Sequence, residues 1–142
     1  HCSRQRQSGR PNRQSRRPDP GVSCPAMTVG LDADAVLLVA EPTPFGFHDF
    51  RLAHQAFRQI GKPVAVIMNR AAMPGNAEGD GALRAYCAEQ GLRVLGELPF
   101  DRAAAETYAK GRLIAATSPE WRVRFESLRD AVLTFAEGAC HA

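Results

Sequence analysis

The chain has 142 residues, of which 44% are hydrophobic and 23% charged, with 12 Gly, 10 Pro and 4 Cys. This length suits one globular domain with its own core, and no apolar run reaches the roughly 20 residues that a membrane-spanning helix needs. The four cysteines form no C-x-x-C pair, which disfavours a zinc or iron–sulfur framework. We therefore expect reduced thiols, a cytoplasmic location, no metal ligands and no iron–sulfur cluster in this chain.

The formal net charge of +3 is unevenly distributed along the chain. Residues 1–20 contain six arginines and one aspartate, so they carry +5 and the remaining residues carry −2. This segment has almost no large apolar side chains, and we expect it to be disordered because it cannot offset the entropy of ordering. The chain begins with His1 rather than Met, which we interpret as a fragment or an incomplete gene.

Three short apolar runs, residues 35–40, 63–68 and 93–98, predict parallel strands buried on both faces. Helical patterns follow them. The predicted helices are one carrying a stripe from Phe50 to Ile60 and ending at Gly61, one from about Asp80 to Gly91, one over residues 102–110 capped by Asp101, and one from Pro119 to Gly138 with Ser118 as its N-cap. This alternation predicts an α/β fold, with a partial parallel sheet of about three strands and crossover helices.

Ligands of open parallel sheets bind beyond the carboxyl ends of the strands. Asn69 and Arg70 follow the second predicted strand, and Pro99 to Asp101 follow the third. An Asn side chain can both donate and accept a hydrogen bond, but Asn is also common where a strand turns, and Asp101 has a structural alternative as a helix cap. His48 and His54 fall in the first crossover helix, where we expect a capping or surface role rather than metal binding.

Two longer segments carry a resemblance to a known family. They read Gly21-Val-Ser-Cys-Pro25 and Glu41-Pro-Thr-Pro-Phe-Gly-Phe-His-Asp49. In this order and spacing, together with Asn69-Arg70 and the Pro99 loop, they resemble the C-terminal half of the MinD/ParA group of deviant P-loop ATPases. The resemblance is greatest to the subgroup with an inserted ferredoxin domain, and it covers residues 20–136.

The resemblance implies an incomplete P-loop NTPase fold and assigns roles to several residues. It implies that Asn69 reads the adenine base, that Arg70 packs its guanidinium on the ring, and that Pro99 and Asp101 close around the base. It places a switch region at Asp19, Gly21, Ser23 and Cys24. In the intact family protein it implies ATP and Mg²⁺ as cofactors. The partners implied are the missing N-terminal half or an ATP-dependent homodimer, together with an iron–sulfur protein.

The sequence also departs from the family pattern. It has no glycine-rich loop with its Lys and Ser or Thr, and no ferredoxin insert, so we assign no catalytic residue and expect this chain alone not to hydrolyse ATP. Arg17 occupies the position of the pattern's acid, and Asp19 comes two positions late. We therefore expect residues 1–20 to be a non-native segment, residues 21–138 the C-terminal part of the ATPase domain, and residues 139–142 a tail.

Two functions remain open from the sequence. The first is the adenine-nucleotide-binding half of a MinD/ParA-like ATPase that, when intact, binds and hydrolyses ATP. The alternative is a non-enzymatic α/β partner-binding module with a basic arm for nucleic acid. The arm supports the alternative weakly, because it has no aromatic residues on which bases could stack.

Overall fold

A computed structural model describes residues 24–140, with side chains from residue 26 onward. The expectations for the Arg-rich segment and for three of the switch residues, Asp19, Gly21 and Ser23, lie outside the described residues. The side chain of Cys24 and the last two residues of the predicted tail also lie outside them.

Strands and helices alternate along the described residues. The strands are β1 (Val36–Ala40), β2 (Val64–Ala71) and β3 (Arg93–Pro99). The helices are α1 (Cys24–Asp32), α2 (Pro44–Arg58), α3 (Ala77–Glu89), α4 (Arg102–Ala109), α5 (Ile114–Thr117) and α6 (Pro119–Cys140). The strands form one parallel sheet in the order β1-β2-β3. The prediction of an α/β fold with three parallel strands is confirmed.

The sheet is covered by apolar side chains on both faces. On one face, α2 and α3 pack against the central strand and enclose a core of Ala40, Phe50, Val66, Met68, Ala71, Leu83 and Cys87. A second, smaller cluster consists of Ala104, Ile114 and Trp121, with Leu98 and Phe125 against it. Leu98 of β3 lies opposite Asn69 in the register, whereas Met68 lies opposite Glu97. Because side chains alternate along a strand, the two clusters occupy opposite faces.

The start of α2 and the end of β2 differ from the sequence prediction. The predicted helix carries its apolar stripe from Phe50, but α2 already begins six residues earlier, at Pro44. Proline is favoured at this first helical position, and Thr43 caps the helix by accepting a hydrogen bond from the Gly46 N–H at 3.1 Å. Strand β2 continues to Ala71, beyond the apolar run that ended at Met68.

The start of α3, the end of α6 and the presence of α5 also differ from the sequence prediction. Helix α3 begins at Ala77 rather than near Asp80, and α5 had no sequence signal. Helix α6 continues through Gly138 to Cys140, because Gly138 does not adopt the positive φ that ends a helix. By contrast, Gly61, Gly91 and Gly111 do adopt positive φ values, and each follows the end of its helix as expected.

His54 has a structural role that the sequence analysis did not assign. It is only 2% exposed rather than at the surface, and its Nδ1 lies 2.9 Å from the Tyr86 hydroxyl of α3. Its ring also stacks beside Phe50, with centroids 6.3 Å apart. Burial lowers the pKa of His54 below its ordinary 6.5, and the nearby Arg58 charge lowers it further. The folded protein therefore favours the neutral imidazole.

This burial predicts a pH dependence of stability. A histidine whose pKa is lower in the folded state contributes fully above its unfolded pKa of about 6.5. That contribution is lost as the pH falls through 6.5 towards the folded pKa, because the unfolded chain binds the proton first. We expect His54→Gln to lose stability more slowly than the wild type between pH 7.5 and 5 in urea unfolding experiments. Parallel curves for the two proteins would contradict the prediction.

Strands β1 and β3 each have a single neighbour among the described residues. On β1, Val39 is 63% exposed and Leu37 is 36% exposed, so this sheet edge presents apolar surface. Exposed apolar edges favour association. None of the helices in residues 24–140 has the length and apolar character needed to cross a membrane.

Candidate functional site

The carboxyl ends of β2 and β3 are joined where the sequence analysis placed a ligand site. The Phe100 N–H donates to the Ala71 carbonyl oxygen at 2.7 Å, directly beyond the paired residues of the two strands. The pairing is interrupted between Asn69 and Ala71. Arg70, the residue between them, has a φ of 58°, so the chain bulges there and the Asn69 and Arg70 side chains are directed away from the regular ladder.

A cavity of about 460 Å³ opens at this bulge. All four residues assigned to nucleotide binding line it: Asn69, Arg70, Pro99 and Asp101. The rest of the lining is apolar or aromatic and comes from β1, the β3 end and helices α4 to α6: Val39, Leu98, Phe100, Ala104, Ala105, Tyr108, Ile114, Trp121 and Phe125. The wall formed by helices α4 to α6 had no signal in the sequence.

Asn69 contributes a free amide to the cavity wall. Its residue is partly buried, and within residues 24–140 its carboxamide has no hydrogen-bond partner. A partly buried amide at a cavity wall retains one acceptor oxygen and two donor hydrogens. It is therefore available to pair with a ligand edge that presents one donor and one acceptor.

Arg70 lies at the mouth of the cavity. Its guanidinium carbon is 5.6 Å from the centroid of the Phe100 ring, and its Nη1 is 3.4 Å from Oε2 of Glu41. Both side chains of this ion pair are exposed by more than a third, so the pair adds little to stability. The guanidinium plane therefore already stacks on an aromatic ring, and it can move without a large cost.

Asp101 is fully engaged in structural hydrogen bonds. Its Oδ1 accepts from the N–H groups of Ala103 and Ala104 at 2.8 and 3.3 Å, which caps α4. Its Oδ2 accepts from Nε1–H of Trp121 at 2.7 Å. The Trp121 hydrogen bond, together with the capping bonds, holds the pKa of Asp101 below its ordinary 3.8. The helix-cap alternative is thus confirmed, and Asp101 positions the loop after β3.

Trp121 is the main site residue that sequence reasoning missed. It falls in the helix predicted from Pro119 to Gly138, to which no site role was assigned, yet it is 8% exposed, lines the cavity and donates a hydrogen bond to Asp101. Its ring centroid is 5.6 Å from that of Phe125, one helical turn later. The four-residue spacing of these aromatics predicted a buried helix face, but nothing in the sequence linked this face to the β3 loop 20 residues earlier.

The lining chemistry favours binding of a flat, partly apolar ligand. Phe100, Tyr108, Trp121 and Phe125 supply aromatic surface, and Asn69 supplies directional hydrogen bonds. The described lining includes no Ser, Cys, His or Lys, and its one cationic side chain, Arg70, pairs with Glu41. Likewise, no group of three or more His, Cys, Asp or Glu side chains in residues 24–140 is arranged to hold a metal ion.

Comparison with known proteins adds a distant relative. No family model matches the chain. Over 91 residues it is 26% identical to an uncharacterized protein of Methanocaldococcus jannaschii, in an alignment covering 64% of this chain and 29% of that protein. The chain therefore spans less than a third of the length of this curated relative.

Proposed function

We propose that this chain is the adenine-binding part of a MinD/ParA-like ATPase that resides in the cytoplasm. The observation that carries the proposal is the convergence of Asn69, Arg70, Pro99 and Asp101 on one cavity with aromatic walls. These residues come from two strand ends about 30 positions apart, and the resemblance had assigned all four to the base. An aromatic cavity with one unpaired amide suits a purine, because the ring can stack while its edge forms two hydrogen bonds.

The described residues fit the base of ATP but not its triphosphate. Cavity residues supply stacking surface and an amide, whereas a phosphate cradle needs clustered backbone N–H groups and a lysine. Neither Lys62 nor Lys110 lines the cavity. In the proposed intact protein, ATP hydrolysis with Mg²⁺, dimerisation on ATP and coupling to an iron–sulfur protein therefore depend on groups other than those that line this cavity. The basic arm of the alternative, a non-enzymatic partner-binding module, lies outside residues 24–140.

Adenosine is the appropriate probe, since it presents the base without phosphates. We expect it to bind the wild-type chain with a dissociation constant near the millimolar range and to shift the amide resonances of residues 69–71 and 100–101 in ¹⁵N–¹H NMR spectra. Asn69→Ala should weaken binding by about tenfold, as expected for the loss of one or two well-placed hydrogen bonds.

Gln55→Ala is the matched control, because this exposed α2 residue does not line the cavity. It should bind adenosine as the wild type does. Equal affinity of the wild type and Asn69→Ala for adenosine, or resonance shifts confined to other parts of the sheet, would refute the proposal.

A further inference from the structure

The backbone at the carboxyl end of β2 adopts left-handed φ values that residues other than glycine rarely adopt. Arg70 has a φ of 58° and Ala72 a φ of 55°, and neither is glycine. Left-handed φ values bring Cβ close to the backbone, so an L residue holds them only where surrounding contacts compensate. Both residues flank Ala71, the last residue of β2, next to the cavity. The bulge that directs Asn69 and Arg70 therefore has an energetic cost.

One buried side chain contacts this strained segment. Oδ2 of Asp80 accepts a hydrogen bond from the Ala72 N–H at 2.8 Å. Asp80 is only 5% exposed, and no donor within residues 24–140 reaches its other carboxyl oxygen, Oδ1. A buried carboxyl that forms a single protein hydrogen bond is itself costly. The left-handed backbone and the buried carboxyl are both unfavourable, and the hydrogen bond between Ala72 and Asp80 joins them.

Asp80 is held firmly in place by its own helix. It lies in the first turn of α3, three residues before Leu83 and seven before Cys87, so the three side chains share one helix face. Leu83 is 0% exposed and Cys87 is 1% exposed, and both belong to the core under the sheet. The packing of Leu83 and Cys87 in the core therefore fixes the position of the Asp80 carboxyl, which contacts the Ala72 backbone.

We infer that Asp80 is a positioning residue for the proposed ligand site: its hydrogen bond to Ala72 holds the 70–72 segment, with the left-handed φ values of Arg70 and Ala72, in the conformation that presents Asn69 and Arg70 to the cavity. The inference rests on the proposed function for the identity of the ligand. It does not require Asp80 to touch that ligand, and Asp80 does not line the cavity.

The hydrogen bond itself can be tested in the wild-type protein. Ala72 is an exposed residue in a turn, and the amide of such a residue normally exchanges its proton with water rapidly. A bond to a buried carboxyl should instead protect this amide from hydrogen exchange by at least about tenfold relative to the Gly75 amide in the same loop. Unprotected exchange at Ala72 would overturn the inference without any variant.

A double-mutant cycle tests the positioning role. Asp80→Ala should shift the resonances of the Asn69 side-chain amide and the Arg70 backbone amide, and it should weaken adenosine binding about five- to tenfold. Ala72→Gly should restore most of both properties in the Asp80→Ala background, because glycine adopts positive φ without the Cβ penalty. In the wild-type background the same glycine should have little effect on either.

Cys87→Ala is the control for loss of stability alone. It truncates a buried side chain about two helical turns from Asp80. The variant should lower the unfolding midpoint and leave the Asn69 resonances and the adenosine affinity unchanged. Equal effects of Ala72→Gly in both backgrounds would show that Asp80 and Ala72 are not coupled and would overturn the inference. If no variant, including the wild type, binds adenosine, the proposed function fails, whereas the exchange and resonance measurements still decide the role of Asp80.

Discussion

Gly79→Ala should destabilise the fold by about 2 kcal/mol or more. Gly79 lies in the first turn of α3, and a Cβ built there would overlap the Pro42 carbonyl oxygen and lie 2.7 and 2.8 Å from the Asn76 side-chain amide atoms. Those groups cannot easily yield, because the Asn76 Nδ2 donates to the same Pro42 oxygen at 2.6 Å. The start of α3 therefore packs directly on the loop after β1, with no room for a methyl group.

Gly81→Ala, two residues later on the same helix, is the matched control and should have the opposite sign. No heavy atom outside the local backbone lies within 4 Å of its built Cβ, and the residue is exposed. An alanine there should stabilise the protein by about 0.5–1 kcal/mol, because glycine loses more backbone entropy in a helix. Urea unfolding followed by circular dichroism measures both changes. Effects of the same sign at the two positions would contradict the packing at Gly79.

The contact at Gly79 also concerns the ligand site. Asp80 is the next residue, and any displacement of the first turn of α3 moves its carboxyl away from the Ala72 N–H. We therefore infer that position 79 is a glycine because α3 and the Pro42 carbonyl group approach too closely for a side chain. This close approach in turn fixes the distance between α3 and the end of β2.

The sheet could be predicted because its strands carry a strong local signal. Val64 to Met68 is apolar at every position, as a central strand buried on both faces requires. The same signal failed at the strand's end, where Asn69 and Arg70 are polar although the backbone continues to Ala71. Ladder hydrogen bonds need only the backbone, so the polar side chains of Asn69 and Arg70 do not end the strand, and Ala71 beyond them is again buried in the core.

Only the part of the candidate site that depends on the order of the strands could be predicted from the sequence. Neighbouring parallel strands bring their carboxyl ends together, which is sufficient to place Asn69 near Pro99. The contact between Asp101 and Trp121, and that between Asp80 and Ala72, depend on how helices pack over the strand ends. Neither pair has a spacing that marks it in the sequence. His54 was misassigned for a related reason, since its partner Tyr86 lies 32 residues away.

Trp121→Ala should have the largest effect on stability among the substitutions considered, a cost of about 3–5 kcal/mol. The indole is 8% exposed and lies at the centre of the cluster formed with Ala104 and Ile114. Removing it leaves a void between α4, α5 and α6 and breaks the bond to Asp101. Because the core under α2 and α3 lies on the other face of the sheet, we expect α4 to α6 to loosen first and adenosine binding to be lost with them.

One further variant tests the contribution of the Trp121 N–H group separately from that of the ring, and a second is a surface control. Trp121→Phe keeps an aromatic side chain but cannot donate to Asp101, and it should be less damaging than the alanine. Val123→Ala, at a 63% exposed position of the same helix, should change the stability by no more than about 0.5 kcal/mol. A Trp121→Ala protein as stable as Val123→Ala would show that this aromatic cluster does not hold the three helices.

The stability difference between the wild type and Trp121→Phe should also depend on pH. The Trp121 hydrogen bond is the main cause of the lowered pKa of Asp101, and it favours the ionised carboxylate. A carboxylate whose pKa is lower in the folded state contributes stability that is present above its unfolded pKa of about 3.8 and lost as the pH falls through the folded value. The wild type should therefore exceed Trp121→Phe by a constant amount near neutral pH, and the difference should narrow below the ordinary pKa of Asp. A difference that stays constant throughout the acid range would show that the indole stabilises the loop by packing alone.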